Sequence, residues 1–191
     1  MHRRKFMEVT IPTLVGAALF GCDRPEALAL SPGEQKAGPF VLGPDEGRTP
    51  EPLLVVGETG LAKLRGDDCG GQFCLFHFVA PPMTGPPLHV HSREDEWFYV
   101  LEGEIVFQLD GVRHTVGPGG FVYSPRNVVH AYQNFTDRDA RLLIATMPGA
   151  FGVMFEEMSA LTPPGGMPSV EVLEMLHEKY GITTMGPPLM A

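Results

Sequence analysis

Short segments in which apolar and polar residues alternate fill the middle of the chain, and glycine and proline residues separate them. Alternation with a period of two is typical of strands that bury one face. Short strands with Gly/Pro corners indicate a β-sandwich or a small barrel rather than βαβ units. The predicted strands are 53–56, 61–64, 72–79, the segment around His89, 96–101, 104–109, 112–116, 121–123, 128–133 and 140–146.

The pattern changes after residue 147, where a short helix is predicted over 151–158. A second helix is predicted to begin after Ser169, which can cap it, and to end at Tyr180 before Gly181. We expect its apolar stripe to pack on the barrel or on a second subunit; the stripe consists of Val172, Leu173, Leu176 and Tyr180.

The composition is that of one domain with tails. A chain of 191 residues is long enough for one well-buried core, and its 19 prolines and 23 glycines favour a turn-rich β architecture. The net charge of −9 argues against nucleic-acid binding, because phosphates require a basic surface. The apolar segments are shorter than the ~20 residues that an ordinary membrane-spanning helix needs.

The N-terminus has the plan of an export signal, predicted over residues 1–29. Basic residues 2–5 precede an apolar or small run over 9–21 that ends at Cys22. Residues 19–22 resemble a lipobox, in which Cys22 would be lipidated, and residues 3–7 resemble a twin-arginine signal. Cleavage after residues 27–29 and an unprocessed N-terminus are the alternatives. The prediction is an exported protein, periplasmic or extracytoplasmic, with a possible lipid anchor.

The rest of the chain divides into three parts. Residues 30–52 contain repeated Pro and Gly breaks and are predicted to be a linker, either a spacer from a membrane or an arm along the barrel. Residues 53–160 are predicted to form the barrel and 161–191 the C-terminal helix and tail. Cys69 and Cys74 are five residues apart, so a hairpin disulfide and two reduced thiols both fit, the thiols better.

Candidate metal ligands lie in and after the strand that follows the proline-rich loop 81–87. His89 and His91 are two residues apart, so their side chains point to the same face of a strand. Glu96 follows after four residues, and His130 lies behind a later Gly/Pro turn. Imidazole and carboxylate groups in this arrangement are typical ligands of divalent metals. His77, His114 and His177 lack a partner at ligand spacing and are predicted to lie at surface or peripheral positions.

These residues form two motifs that resemble those of the cupin superfamily. The first consists of Gly85, His89, His91, Glu96 and Gly103, and the second of Gly119, Pro125, His130 and Asn134. The resemblance covers residues 50–160. It departs from the family pattern at Asn127, where a glycine is usual, but asparagine also adopts a left-handed backbone.

The resemblance implies an all-β fold, a double-stranded β-helix (jelly-roll) barrel with a short C-terminal helix. It also implies that His89, His91, Glu96 and His130 hold one divalent metal inside the barrel. Fe, Mn, Ni, Co, Cu and Zn all suit such a set, and spacing does not choose among them. Counting by twos from Glu96 and His130 puts Phe98 and Tyr132 on the metal side, as walls of a substrate pocket or as barrel core. A homodimer is expected by resemblance.

Within the superfamily, the chain is similar to single-domain proteins related to flavonol (quercetin) 2,3-dioxygenase. The residues that carry this similarity are the spacing from His91 to Glu96, the strand 96–100, and the segments 180–182 and 186–188. The implied reaction opens the ring of a flavonol-like or other enol or catechol-type substrate with O₂, with Glu96 as general base. A small-molecule-binding metallocupin without catalysis and a metal-dependent isomerase or lyase are the alternatives.

Overall fold

The computed structural model describes residues 37–191. The predicted export signal of residues 1–29 and its Cys22 lie outside the described residues and stay predictions.

Two antiparallel sheets enclose one apolar core. The six-stranded sheet has the order β1-β2-β3-β10-β5-β8, and the five-stranded sheet has the order β11-β4-β9-β6-β7. The strands are β1 (Leu53–Val55), β2 (Glu58–Leu64), β3 (Cys74–Ala80), β4 (Pro87–His91), β5 (Asp95–Glu102), β6 (Ile105–Leu109), β7 (Val112–Val116), β8 (Phe121–Ser124), β9 (His130–Gln133), β10 (Ala140–Met147) and β11 (Ile182–Pro188). The predicted jelly-roll fold class is confirmed.

Buried and half-buried residues alternate along β3, and the buried residues define the face of the strand that points to the core. Phe76 and Phe78 are buried, while Leu75, His77 and Val79 between them are only partly covered. β10 pairs with β3 on one side and β5 on the other, so Ile144 lies opposite both Phe76 and Phe98. The large rings of neighbouring strands therefore meet between the two sheets, as cross-strand packing requires.

Two predicted turn positions have the backbone that their residues favour. Asp110 (φ 47°) and Gly111 (φ 81°) join β6 to β7 in a tight hairpin. Asn127, which replaces the usual glycine before β9, has φ 66°, so it occupies the left-handed region that asparagine tolerates.

The C-terminal part contains two helices and a strand. The helices are α1 (Gly152–Leu161) and α2 (Val170–Tyr180), and both agree with the sequence prediction. The Ser169 side chain accepts from the amide of Val172, and Gly181 ends α2 in the left-handed conformation (φ 72°). The segment after Gly181, predicted to be a tail, instead forms β11, because it pairs with β4 through Ile182–His91 and Thr184–His89.

Residues 43–48 lie along the barrel as an arm. The Arg48 amide donates to the Ala62 carbonyl at 2.7 Å, and its guanidinium binds Asp68 at 2.7 and 3.1 Å. The Lys63 ammonium donates to three carbonyls of this segment at 2.6–3.1 Å. Main-chain carbonyls of the arm thus accept hydrogen bonds from the charged Lys63 side chain of β2. These bonds hold this part of the predicted linker against the sheet.

Neither helix of residues 37–191 is long and apolar enough to span a bilayer. Cys69 and Cys74 are both free thiols, with Cys69 directed at the Phe73 carbonyl (3.1 Å) and Cys74 at the Thr146 hydroxyl (3.1 Å).

Candidate metal centre and its pocket

Three strands bring the four predicted ligands together where the chain passes from one sheet to the other. β4 carries His89 and His91, β9 carries His130, and His89 and His130 are direct cross-strand partners. Glu96 is the second residue of β5, on the opposite sheet, and follows β4 after one turn. All four side chains are buried. The spacing in the sequence therefore corresponds to a real cluster in space.

The candidate ligand atoms converge on a common point. One nitrogen or oxygen atom of each of the four residues lies within 4.8 Å of the others. Nε2 of His89 is 3.1 Å from Nε2 of His91, and Oε2 of Glu96 is 2.9 Å from Nε2 of His130 and 3.5 Å from Nε2 of His91. Ligand atoms about 2.1 Å from a shared ion, at right or tetrahedral angles, lie about 3.0–3.4 Å apart. The three separations, 2.9, 3.1 and 3.5 Å, are close to that range.

Hydrogen bonds from the outer ring nitrogens fix the tautomers of two histidines. Nδ1 of His89 lies 2.8 Å from the carbonyl of Pro87, and Nδ1 of His130 lies 3.0 Å from that of Val128. A carbonyl only accepts, so each Nδ1 carries a proton. Nε2 of His89 then presents a lone pair to the centre when its ring is neutral, whereas Nε2 of His130 faces the carboxylate of Glu96. Burial and the neighbouring His130 and His91 hold the pKa of His89 well below its ordinary value, so its ring is neutral.

Glu94 is a part of this site that sequence reasoning missed. Its Oε2 is 3.5 Å from Nδ1 of His91, and both residues are buried. Neither of these two atoms has a hydrogen-bond partner within residues 37–191. A carboxylate behind the outer nitrogen orients an imidazole and increases its basicity as a ligand. With the proton of His91 drawn to Glu94, the lone pairs of His91 and His89 face each other at 3.1 Å. A cation between them turns this unfavourable contact into ligation, so the donor set fits a divalent metal.

Glu96 acts differently on the third histidine. Burial alone lowers the pKa of His130, but the hydrogen bond and the negative charge of Glu96 outweigh it and raise that pKa above the ordinary value. The carboxylate is therefore in direct electrostatic contact with the ring. The buried cluster could bind a metal ion, and its donors do not select one metal.

A largely apolar cavity begins at His89, His91 and Glu96. The volume of this cavity that the centre of a water molecule can reach is about 50 Å³. The walls come from both sheets, α1 and α2, and include Val55, Val56, Phe78, Phe98, Tyr132, Ile144, Phe151, Met154, Phe155, Met158, Leu173 and Ile182. In this conformation the cavity admits a few waters or a small ligand, and a three-ring ligand needs the helices to shift.

The predicted wall residues Phe98 and Tyr132 both lie in this cavity lining. Their rings are 5.6 Å apart, and the ring of Phe98 is 6.3 Å from that of His130. Phe151, just before α1, packs edge-on against His91 at 4.7 Å, so the helical segment closes the cavity beside the cluster. The local sequence pattern does not predict the contact between Phe151 and His91. The contact depends on the path that the chain takes after the last strand of the barrel.

His177 is more than the peripheral residue that its sequence context predicts. It is buried, lines the cavity, and its Nδ1 is 2.8 Å from the Thr184 hydroxyl of β11. Burial, and to a smaller extent His91, lowers its pKa to about 4, so the ring is neutral at pH 7. The signal was available, since His177 lies four residues after Leu173 on the apolar stripe of α2. His114, by contrast, is exposed on β7 as predicted.

Comparison with known proteins agrees with this fold and cluster. Residues 76–146 match the model of the cupin domain. The quercetin 2,3-dioxygenase of Bacillus subtilis is 29% identical over 111 residues, which cover 58% of this chain and 32% of that protein. Protein SchB of Streptomyces halstedii is 32% identical over 82 residues, 40% of this chain and 59% of that protein. The chain thus spans about a third and about three fifths of these two relatives.

The fold has a counterpart among solved structures. An RmlC-like cupin from Shewanella frigidimarina superposes with a TM-score of 0.50 at 18% identity, over 63% of this chain and 99% of that one. Fold, family match and cluster together define a jelly-roll protein with a buried His/Glu centre. The chain belongs to the cupin superfamily.

Proposed function

We propose that this protein is a metal-dependent dioxygenase that opens the ring of a flavonol-like or other enol or catechol-type molecule with O₂. The observation that carries the proposal is the cluster of three imidazoles and one carboxylate at the inner end of a largely apolar cavity. The similarity to a quercetin 2,3-dioxygenase supports the choice of reaction. The chain spans only part of that relative, so the activity itself is what has to be tested.

The residues of this chain have distinct tasks in the proposed reaction. His89, His91, Glu96 and His130 would hold the metal, which supplies Lewis acidity toward an enol or catechol oxygen. Glu96 accepts the proton of the substrate hydroxyl, which it can do only when the carboxylate turns away from the other ligands. Phe98, Tyr132 and Phe151 hold the flat body of the substrate and exclude bulk water. Both oxygen atoms of O₂ enter the product as a ring carbon–carbon bond breaks.

The size of the cavity ranks the substrates to be tried. The centre of a water molecule reaches only about 50 Å³ of the cavity, so catechols and small enediols require less rearrangement of the walls than a flavonol does. A flavonol requires α1 and α2 to move, and their inner residues Met154, Phe155 and Leu173 lie in the cavity wall. We therefore expect faster turnover of catechols than of flavonols.

Oxygen uptake by metallated protein tests the proposal. The full chain, loaded in turn with Fe, Mn, Ni, Co, Cu and Zn, is mixed with catechols, small enediols and flavonols while dissolved O₂ is recorded. We expect substrate-dependent uptake with at least one redox-active metal and a ring-opened product. Full metal occupancy without uptake on any substrate refutes the dioxygenase. If a compound then binds without reacting, we conclude that the protein is a non-catalytic binding protein.

The matched variants are Glu96→Gln and Glu104→Gln. Glu96→Gln removes the base and is expected to slow turnover about 100-fold or more. Glu104 is exposed and is not among the residues that line the cavity, so Glu104→Gln should leave turnover unchanged. Metal content is measured for both, because Glu96 is also a candidate ligand. Full turnover by a metallated Glu96→Gln protein contradicts the role of this carboxylate.

We further propose that the protein is exported and carries a lipid on Cys22. The basic, apolar and cysteine-terminated segments of residues 2–22 support this proposal. The mass of the mature N-terminus tests it: a chain that begins at a diacylated Cys22 supports it, and an N-terminus at Met1 refutes it.

A further inference from the structure

His177 and Ile182 separate the buried cavity from a groove on the protein surface. Both residues line the cavity, and both also line the groove, which lies where α2 turns into β11. His177 is 7% exposed and Ile182 is 6% exposed, so their side chains form a thin partition between solvent and the cavity. The groove itself is open to solvent, because most of its other lining residues are exposed, namely Ser92, Glu174, Glu178, Thr183 and Thr184.

The groove lies beside the metal cluster at the edge of a sheet. β11 is the edge strand of the five-stranded sheet, and α2 packs against it. Thr184 of β11 is the cross-strand partner of His89. Ile182 is the partner of His91. Cross-strand partners have their side chains on the same face of a sheet, and neighbouring strands are about 4.8 Å apart. The path from the groove to the cluster is therefore as short as the spacing of two strands.

A hydrogen bond holds the ring of His177 in the partition. Its Nδ1 is 2.8 Å from the hydroxyl of Thr184. Thr184 lines the groove and is not among the residues that line the cavity, so this bond holds the ring from its outer side. A hydrogen bond of this kind changes a conformational equilibrium about fivefold. The ring of His177 can therefore leave Thr184 at a small cost in free energy.

The backbone around the partition is fixed more firmly than the ring. The amide and the hydroxyl of Ser92 both donate to the carbonyl of Gly181, at 3.0 and 2.7 Å. The Lys179 ammonium donates to both carboxylate oxygens of Glu157 on α1, at 2.8 and 2.7 Å. These contacts tie the end of α2 to the turn after β4 and to α1. Rotation of the His177 side chain between staggered rotamers, rather than displacement of the helix, is thus the motion that opens the partition.

Large rings cover the cluster on other sides. The ring of Phe151 packs against His91 at 4.7 Å, and the ring of Phe98 is 6.3 Å from that of His130. Pro86 and Pro87 line the far end of the cavity and are half-buried. An entrance at these prolines is the alternative that an experiment has to separate from the groove.

We propose that ligands reach the metal cluster from the groove between α2 and β11, and that His177 determines which of them pass. Rotation of its ring away from Thr184 joins the groove to the cavity, and its return closes the cavity behind the ligand. The cavity is lined mainly by apolar side chains, and the centre of a water molecule reaches about 50 Å³ of it. The ligands that fit are therefore flat, one-ring molecules with a metal-binding oxygen or nitrogen at the edge. The inference rests on the metal centre and is independent of the dioxygenase reaction.

The rate at which imidazole binds to the Co²⁺-loaded full chain tests the entrance. Imidazole is a small metal ligand, and its binding is followed by stopped-flow through the visible absorption of Co²⁺. Thr184→Val keeps the shape of the side chain but removes the hydroxyl that holds the ring. We expect the association and dissociation rates both to rise about fivefold, with an unchanged Kd, because an entrance acts on the barrier in both directions. Thr115→Val, at an exposed position of β7, should change none of these values.

Truncation of the ring tests the selection of ligands by size. His177→Ala should raise the association rate at least as much as Thr184→Val does. The increase should be greater for 4-phenylimidazole than for imidazole, because the larger probe needs a wider opening. His114→Ala, which removes an exposed histidine of β7, is the matched control. Leu173→Ala widens the cavity without changing the groove, since Leu173 lines only the former, and should raise the association rate less than His177→Ala does.

Unchanged association rates in Thr184→Val and His177→Ala overturn the proposal, as does a larger increase in Leu173→Ala than in His177→Ala. A changed Kd with an unchanged association rate in Thr184→Val also overturns it, because the ring would then contact the bound ligand rather than control its entry. A Co²⁺-loaded chain that binds no imidazole overturns it as well. If His177→Ala does not fold, Thr184→Val decides, since Thr184 is exposed.

The dioxygenase is scored apart from this experiment. The expected changes in the imidazole rates, without O₂ uptake on any substrate, refute the dioxygenase and leave the entrance in place. Substrate-dependent O₂ uptake with unaltered imidazole rates in both variants refutes the entrance and leaves the dioxygenase.

Discussion

Gly85→Ala is expected to destabilise the barrel and to weaken its metal centre together. A Cβ atom at Gly85 would lie 3.0 Å from the Cα of Gln133 and 2.8 Å from its Oε1, and deep inside contact with the carbonyl oxygen of Tyr132. Carbon atoms pack favourably at about 3.5–4.0 Å. Two of the obstacles belong to the backbone of β9, so the loop and this strand must separate to admit the methyl group.

The size of the effect follows from that crowding. Extra methyl groups in well-packed positions cost roughly 1–3 kcal/mol, which corresponds to a fall in Tm of roughly 2–12 °C for a domain of this size. Gly85 precedes β4 and lies against β9, and these strands hold His89 and His130 as partners. Their separation moves two ligands apart, so metal binding should weaken as well.

Thermal unfolding and metal titration of Gly85→Ala and Gly117→Ala check this prediction. Gly117 is the control, because a Cβ atom there meets nothing within 4 Å. We expect its Tm and metal affinity to stay within error of the wild type. Equal Tm values for the two variants would refute the close approach of the loop to β9, and a lowered Tm with unchanged metal affinity would refute the coupling to the centre.

Two further predictions concern buried carboxyl groups. Glu94→Gln should weaken metal binding about 10–100-fold, because the variant removes the negative charge 3.5 Å from Nδ1 of His91. Competition with a chelator measures the affinity, and an unchanged affinity contradicts the role of Glu94. Burial raises the pKa of Glu58 from 4.5 to about 8, so the folded chain binds a proton that the unfolded chain releases. The stability of the wild type should therefore fall as the pH rises from 4.5 through about 8, by several kcal/mol relative to Glu58→Gln. Parallel Tm curves of the two proteins across this window would refute the buried acid.

Alternation along the strands predicted much of the fold and the cluster. His89, His91, Phe98 and Tyr132 all lie on the faces that a period of two assigns to them, because each strand buries one side against the core. The approach of His89, His91 and Glu96 needed only local geometry, since β4 and β5 are joined by one short turn, whereas His130 joins them through the pairing of β9 with β4.

The groups that were missed depend on contacts between distant segments. Glu94 lies in a turn, where no periodic pattern of apolar residues predicts that its side chain is buried against His91. Glu58 and Tyr132 are 74 residues apart and meet only because β2 and β9 face each other across the core. A signal did exist for Glu58, since it shares the inner face of β2 with Gly60 and Ala62, where an unpaired charge is costly. β11 was missed because Pro187 and Pro188 weaken the strand pattern.

The metal content of His91→Ala, compared with that of His114→Ala, tests whether the buried His/Glu cluster binds a metal ion. His91 is buried in the cluster, and His114 is an exposed histidine on β7, so both variants lose one imidazole. Each protein is loaded with a divalent metal, freed of loosely bound ions and measured by elemental mass spectrometry. We expect about one ion per chain in the wild type and in His114→Ala, and almost none in His91→Ala. A His91→Ala protein that retains the wild-type metal content contradicts this expectation.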